Sequence, residues 1–290
     1  MPIASITFDF DPVLRLTDEL VMRWQTVALA LTFTVTLVAA GIAARRRGLR
    51  ADDLLSIVVG AVPGAIVAGR LGYALLHPEA FTAGPASLLD PSVGGLELAV
   101  GVAGGVVTAA CVTALLGGSV AVWAQHLAVP LLIGIGGGKL AMVLGGSGQG
   151  LPSELPWATA YRGLGPWGSL APDLPSHPAQ AYEAIGVLAL AAVLLMAVSV
   201  GAFRARDGRL LVVAIVGWTI VRAFATTTWR DPVVIAPLPA GGWLAVAVAI
   251  AAVGIASALA LRNRWAAGQA GPEQASGEAA WPDPETRPPF

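Results

Sequence analysis

One nearly unbroken apolar stretch decides the fold: LELAVGVAGGVVTAACVTALLGGSVAVWAQHLAVPLLIGIGGGKLAM, residues 96–142. Between Glu97 and Lys139 it contains no Asp, Glu, Lys or Arg. A helix that crosses about 30 Å of hydrocarbon at 1.5 Å per residue needs about 20 apolar residues, so the stretch is long enough for two crossings. The residues Gly117, Gly118 and Ser119 favour a turn. We therefore predict two membrane helices, at 96–116 and 121–142.

Five further apolar windows lie on both sides of this stretch, at 25–44, 54–74, 181–201, 210–229 and 242–261. The chain is therefore predicted to be an all-α polytopic membrane protein with seven transmembrane helices. Basic residues follow the first, fifth and seventh spans: Arg45, Arg46, Arg47, Arg50, Arg204, Arg206, Arg209, Arg262 and Arg264. Because cytoplasmic loops carry the excess of basic residues, we expect an external N-terminus and a cytoplasmic C-terminus.

The composition excludes several classes of protein. Of the 290 residues, 12% are charged and 56% are hydrophobic, which argues against a disordered chain, a nucleic-acid binder and most soluble enzymes. The single cysteine, Cys111, allows neither a disulfide framework nor a cysteine zinc site. We expect no cofactor, no bound metal and no nucleic-acid partner.

Three segments lie outside the predicted spans. Residues 1–24 lack the basic start and short apolar core of a cleavable signal, so we interpret them as a retained external segment. Residues 146–178 are rich in Pro and Gly and predict a shaped external loop, in which Trp157, Tyr161 and Trp167 suit the membrane interface; a flexible linker is the alternative. Residues 266–290 are rich in Pro, Gly and acids and predict a disordered cytoplasmic tail.

Ionisable residues concentrate in the outer half of the predicted bundle. At 1.5 Å per residue, Arg70, Lys139 and Arg222 lie about 24, 27 and 18 Å along their spans. Each distance is measured from the inner end of the span toward the outside. The same region contains Arg230, Glu97, Glu183 and the loop residue His177. The excess of cations is typical of a phosphate site, and at this depth the phosphate would belong to a phospholipid. The alternative is that these charges snorkel to the interface or pair locally, above all Arg230.

The segment HPAQAYEA, residues 177–184, closely resembles the His-Pro-x-Gln-x-Tyr-Glu motif of prolipoprotein diacylglyceryl transferases. The resemblance extends over residues 20–260. It includes MRW at 22–24, AGRLGYAL at 68–75, GGLELAVGVAGG at 94–105, VPLLIGIGGGKLAMVLGG at 129–146 and WRDP at 229–232. Seven spans with an external N-terminus are also what this family of bacterial inner-membrane enzymes shows.

The resemblance implies an activity and a set of site residues. The family moves the diacylglyceryl group of phosphatidylglycerol onto the lipobox cysteine of a preprolipoprotein and releases glycerol phosphate. Arg222 matches the family's essential arginine, and Lys139 stands where the family has a signature arginine; both are expected to hold phosphate. Residues expected to shape the headgroup pocket or the substrate site are Arg70, Tyr73, Glu97, Gln180, Tyr182, Glu183 and Arg230. His177 and Glu183 are the candidates to accept the thiol proton, although His177 is equally well explained as a loop residue that fixes the entry to the fifth span.

The sequence departs from the family pattern at several positions. Ala99 replaces a histidine found in many members, although some branches lack it. In the signature, Lys139 and Met142 replace an arginine and an asparagine, and Thr226 stands where the family places an acid. A lysine neutralises phosphate as a point charge, without the planar fork of a guanidinium. These changes leave two alternatives to an active transferase open: a catalytically impaired member that binds lipid or precursor, and, from hydropathy alone, a small-solute transporter.

Overall fold

A computed structural model describes residues 5–269 except 18, 83 and 164. Its main elements are seven helices: α1 Trp24–Arg45, α2 Ala51–Leu76, α3 Leu98–Leu115, α4 Val120–Gly145, α5 Ala179–Ser199, α6 Arg209–Thr226 and α7 Ala240–Gln269. All seven are long and apolar enough to cross a membrane. The predicted helical fold with seven spans is therefore confirmed. The orientation of the bundle in a membrane stays a prediction from the basic residues.

The turn predicted at Gly117–Ser119 divides the apolar stretch as expected. Helix α3 ends at Leu115, and Gly117 adopts a left-handed backbone with φ of 71°, which glycine allows without strain. Ser119 begins α4 as its N-cap, because its hydroxyl accepts a hydrogen bond from the backbone N–H of Val122 at 3.4 Å. The predicted sixth span, by contrast, ends three residues early, at Thr226.

The helices pack as neighbouring pairs, with α2 along α3, α1 along α4, and α4, α5, α6 and α7 each against the next. The contact between α2 and α3 depends on small residues. A Cβ on Gly104 would collide with Ala68 and with the backbone of Gly64. This close approach suits a membrane interior, where small residues let helices approach for van der Waals contact. The helices also present apolar faces to the outside of the bundle. In α7, only 6% of the apolar window is buried inside the protein.

A compact cap covers the bundle at the end where α3 and α5 begin and α4 and α6 end. We use "the cap" for residues 5–23 together with 146–178, in which the structure places strands β1 Ile6–Asp9, β2 Val13–Arg15, β3 Val21–Arg23 and β4 Thr159–Arg162. Strand β1 pairs in parallel with β4, and β2 pairs antiparallel with β3. Phe8 stacks on Tyr161, with ring centroids 5.1 Å apart. The sequence did not predict this pairing between the N-terminal segment and the loop.

Two short strands, β5 Val233–Ile235 and β6 Leu238–Pro239, connect α6 to α7 at the same end of the bundle. At the opposite end, α7 continues to Gln269. The predicted disordered tail begins at 266, so its first four residues belong to this helix. Its remaining residues, 270–290, lie outside the described residues.

Candidate functional site: a buried charge cluster

Four ionisable side chains meet inside the bundle, below the cap. They are Glu97, Lys139, Glu183 and Arg222, which we call the charge cluster. Three of them come from α4, α5 and α6, and Glu97 is the N-cap of α3, where its carboxylate accepts a hydrogen bond from the N–H of Val100 at 2.7 Å. The structure thus brings together four of the ionisable residues that the sequence places in the outer half of the bundle.

Arg222 joins the two carboxylates of the cluster. Its Nη2 lies 2.7 Å from Glu97 Oε1, and its Nη1 lies 3.2 Å from Glu183 Oε1. The guanidinium is almost completely buried, at 2% exposure. Because a guanidinium presents several donors in one plane, a single arginine can hold two carboxylates at a fixed separation.

Glu183 is the most enclosed member of the cluster, with 0% exposure. Lys139 Nζ lies 2.7 Å from its Oε2, and Trp218 Nε1 donates to its Oε1 at 3.2 Å. With Arg222, three donors thus surround one carboxylate. A buried carboxylate is tolerated only when it is paired and hydrogen-bonded, and this one is.

The charges of the cluster balance, which differs from the excess of cations expected from the sequence. Two cations face two carboxylates, because Arg70 and Arg230 bind elsewhere. Arg70 donates to the backbone carbonyls of Ser87, Leu88, Asp90 and Gly95, at 2.6 to 3.2 Å, and so fixes the connection between α2 and α3. Tyr73, one turn further along α2, packs on His77 with ring centroids 4.3 Å apart. The structure therefore places Arg70 and Tyr73 at that connection, and their part in a headgroup pocket stays a prediction.

Arg230 binds the cap and does not snorkel. Its Nε donates to the carbonyl of Gly150 at 2.7 Å, and its Nη2 donates to Ser176 Oγ at 3.0 Å. These bonds tie the end of α6 to the loop that precedes α5. Arg230 therefore positions the HPAQAYEA segment, which begins directly after Ser176.

Trp229 covers the cations of the cluster, a role that the sequence analysis missed. Its ring centroid lies 4.7 Å from Arg222 Cζ and 5.4 Å from Lys139 Nζ. A cation over an aromatic face is stabilised without using its N–H donors. Arg222 Nε is buried and has no hydrogen-bond partner among the described residues. The cluster therefore retains donors for a further acceptor.

A second hydrogen-bond chain crosses the cap side of α5. His177 Nδ1 lies 3.2 Å from the hydroxyl oxygen of Tyr182, which accepts a hydrogen bond from Trp157 Nε1 at 2.8 Å. His177 is half-buried. Trp157 was expected at the membrane interface, and the structure adds that its indole orients Tyr182.

Gln180 and Tyr161 form a separate buried pair. Gln180 Nε2 donates to the Tyr161 hydroxyl oxygen at 3.2 Å, and Gln180 Oε1 is buried without a partner in the described part of the chain. Burial raises the pKa of Tyr161 to about 12. The hydroxyl therefore stays protonated at neutral pH and serves as a hydrogen-bonding group rather than a proton acceptor.

An apolar cavity of about 470 Å³ opens between the α1–α4 pair and the α2–α3 pair. Its lining is almost entirely apolar and includes Phe33, Ile57, Val102, Ala110 and Leu131. Glu97 also lines it. One carboxylate therefore belongs both to the cavity and to the charge cluster, so an apolar chain in the cavity would have its polar end near the cluster.

The positions that depart from the resemblance are buried in ways that explain their side chains. Ala99 has 0% exposure and lies in the core between α3, α4 and α6. Thr226 has 1% exposure, and its hydroxyl donates to the carbonyl of Ala223 at 2.7 Å. A larger or charged side chain at either site would need a rearrangement of these contacts, whereas Lys139 fits directly against Glu183.

These features define a class: a seven-helix membrane protein with a paired, buried charge cluster that adjoins an apolar cavity. Comparison with known proteins identifies the family. A sequence profile of the prolipoprotein diacylglyceryl transferase family matches residues 12–258, and this chain belongs to that family.

Individual relatives agree with the family match. A protein of Gluconacetobacter diazotrophicus, named phosphatidylglycerol–prolipoprotein diacylglyceryl transferase, is 29% identical over 266 residues, which cover 87% of this chain and 91% of the relative. Proteins with the same name are 31% identical in Gluconobacter oxydans, over 74% of this chain and 79% of the relative, and 28% identical in Aromatoleum aromaticum, over 85% and 94%. The likeness therefore extends over nearly the whole membrane domain.

Proposed function

We propose that this protein transfers the diacylglyceryl group of phosphatidylglycerol to the lipobox cysteine of preprolipoproteins at the bacterial inner membrane. The observation that carries the proposal is the junction of the charge cluster with the apolar cavity at Glu97. A phospholipid has the matching shape, with an anionic headgroup at one end and acyl chains at the other. Membership of a transferase family supports the same activity.

In the proposed reaction, the thiol sulfur attacks the carbon of the diacylglyceryl group that is bonded to a phosphate oxygen. A carbon–sulfur bond forms, the carbon–oxygen bond breaks, and the phosphate oxygen keeps the electron pair as glycerol phosphate leaves. Lys139 uses one of its three donors on Glu183, and Arg222 Nε is without a partner among the described residues. These donors are available to the leaving phosphate, whose developing charge must be stabilised in the transition state. Glu97 and Glu183 hold the two cations in place.

His177 is the better of the two candidates for the thiol proton. Glu183 is fully enclosed by three donors, whereas His177 is half-buried at the cap. In the tautomer in which Nδ1 donates to the Tyr182 oxygen, Nε2 keeps its lone pair and can accept the proton. Tyr182 and Trp157 are then positioning residues for this imidazole.

We expect His177→Gln to lower the turnover number by about 100-fold at neutral pH, since general bases contribute about 10² to 10⁴. The loss should shrink as the pH approaches the thiol pKa of about 8.5, where the thiol ionises without help. Steady-state transfer assays from pH 6.5 to 9 measure this. The control is His77→Asn, at a half-buried histidine that pairs with Glu79. A pH-independent loss in His177→Gln would contradict the role.

The apolar cavity is proposed to hold acyl chains. Ala110→Phe, which places a ring in the cavity, should raise KM for phosphatidylglycerol by about 3- to 10-fold, because occupied space must be cleared before the lipid binds. The neighbouring Cys111 is exposed on the outer face of α3, so Cys111→Phe is the matched control. Equal KM values for the two variants would argue that the lipid binds elsewhere.

A direct turnover assay tests the proposed function. Purified full-length protein, phosphatidylglycerol labelled in its acyl chains and a peptide with a lipobox cysteine should yield a thioether-linked diacylglyceryl peptide and glycerol phosphate. The pairing of Lys139 with Glu183 also favours a second candidate, a family member that binds the lipid without turnover. Retention of phosphatidylglycerol by a folded protein that forms no product would support this second candidate and contradict the first.

A further inference from the structure

A second pocket lies at the end of the bundle opposite to the cap. It has a volume of about 290 Å³ and is lined by the turn after α1, by α4 and by the connection between α5 and α6. Its polar lining residues are Arg47, Gln125, His126, Arg204 and Arg206. His126 lies 13 residues before Lys139 on α4, about 20 Å along the helix. This distal pocket is therefore separate from the charge cluster.

The arginines of the distal pocket are unneutralised. Within the described ranges, no carboxylate oxygen lies within 4.0 Å of Arg47, Arg204 or Arg206, and their side chains make no hydrogen bonds there. The nearby Asp207 is paired with Arg209 at 2.8 Å instead. Basic residues at this end are expected from topology alone, but topology does not require three of them to line one pocket.

The polar groups that line the pocket favour a ligand that accepts hydrogen bonds. His126 Nε2 is buried and has no hydrogen-bond partner among the described residues. A buried polar group without a partner is unfavourable, because it has lost its hydrogen bonds to water. In the tautomer in which Nε2 carries the proton, a turn of the imidazole toward the pocket would let it donate to an oxygen-rich anion, with the guanidinium groups at the other oxygens of that anion.

The loop that carries two of these arginines is held in an unusual conformation. Phe203 and Arg206 have φ values of 58° and 48°, in the left-handed region that such side chains rarely adopt. Gln125 holds the loop, because its Nε2 donates to the carbonyl of Phe203 at 2.9 Å and its Oε1 accepts from the N–H of Leu210 at 3.4 Å. Strained backbone persists where the surroundings fix it, and it clusters at binding sites.

We propose that the distal pocket binds a phosphate group through Arg47, Arg204, Arg206 and His126. Guanidinium groups bind phosphate oxygens by charge-assisted, often bidentate hydrogen bonds, and imidazole can donate one more. The phosphate belongs either to the headgroup of an anionic lipid or to a free phosphate ion. The proposal does not depend on the transferase activity.

The test uses the full-length protein in detergent and the double variant Arg204→Gln/Arg206→Gln. Native mass spectrometry measures the affinity of each protein for dioleoylphosphatidic acid, with and without inorganic phosphate as competitor. We expect the affinity of the double variant for this lipid to be lower than that of wild type by about 10-fold or more, as for the loss of a charge-assisted hydrogen bond. The double variant Arg45→Gln/Arg46→Gln removes the same charge at the same end, outside the pocket lining, and should bind like wild type. His126→Phe, which keeps the arginines, should also weaken binding.

The outcomes separate the sources of the phosphate. Lipid binding that resists inorganic phosphate assigns the pocket to a headgroup, whereas displacement by inorganic phosphate assigns it to the free ion. Equal losses in both double variants would show general attraction to a basic surface, and unchanged binding in Arg204→Gln/Arg206→Gln and His126→Phe would show no site; either result overturns the proposal. If the double variant does not fold, Arg47→Gln and His126→Phe decide. Diacylglyceryl transfer should persist in all of these variants. The test of the distal pocket is therefore independent of the test of the transferase activity.

Discussion

Replacing Arg222 with methionine is expected to lower diacylglyceryl transfer by about 100- to 1000-fold, the range seen when one preorganised donor to a developing negative charge is removed. Arg222 is the one side chain that contacts both carboxylates of the charge cluster among the described residues, at 2.7 and 3.2 Å. Its loss removes the phosphate donor and also releases Glu97 and Glu183 from their fixed separation. The transfer assay with labelled phosphatidylglycerol measures the effect.

Two further variants separate charge, geometry and general damage. Arg209→Met lies on the same helix, but Arg209 is exposed and pairs with Asp207 outside the cluster, so activity should stay close to wild type. Arg222→Lys keeps the charge and loses the planar fork, so it should recover only part of the activity. Transfer by Arg222→Met within a few-fold of wild type would show that the reaction takes place elsewhere.

Replacing Glu183 with glutamine is expected to destabilise the protein by about 3–5 kcal/mol, because two buried cations then lack their shared counter-ion. Glu183 has 0% exposure and accepts from Lys139, Arg222 and Trp218. The measurement is the free energy of unfolding in detergent micelles. Transfer activity should fall together with stability, since both cations lose their position.

A double-mutant cycle distinguishes charge imbalance from simple loss of packing. Adding Lys139→Met to Glu183→Gln restores the balance, with Arg222 facing Glu97. The double variant should therefore recover part of the lost stability, although its transfer activity should stay low. Additive losses of stability in the double variant would contradict the interpretation of the cluster as a paired buried unit.

The sequence predicted the helices well because hydropathy over about 20 residues reports directly on membrane crossing. The turn at Gly117–Ser119 was also predictable from local chemistry. The cap was not. Its strands are short, at three or four residues each, and the pairing of Ile6–Asp9 with Thr159–Arg162 joins segments far apart in the chain. No local pattern in either segment specifies such a partner.

The site was predicted in part. Rise per residue placed Lys139 and Arg222 at the end of the bundle where Glu183 opens the fifth span, and the structure brings the three together. Which cation meets which carboxylate depends on helix rotation and on loop contacts, so Arg70 and Arg230 could not be assigned to loop carbonyls beforehand. Trp229 lies three residues beyond the end of α6, in the turn that follows, so no helical spacing identifies its contact with Arg222 and Lys139.

Photolabelling tests the central claim, that the charge cluster receives the headgroup while the apolar cavity receives the acyl chains. The probes are two phosphatidylglycerol analogues, one with a diazirine on the headgroup glycerol and one with a diazirine in an acyl chain. We predict headgroup adducts on peptides around Lys139 and Trp229, and acyl adducts on the cavity-lining parts of α2 and α3. Headgroup adducts confined to the distal pocket or to outward-facing helix surfaces, with none near Lys139 or Trp229, would contradict the account.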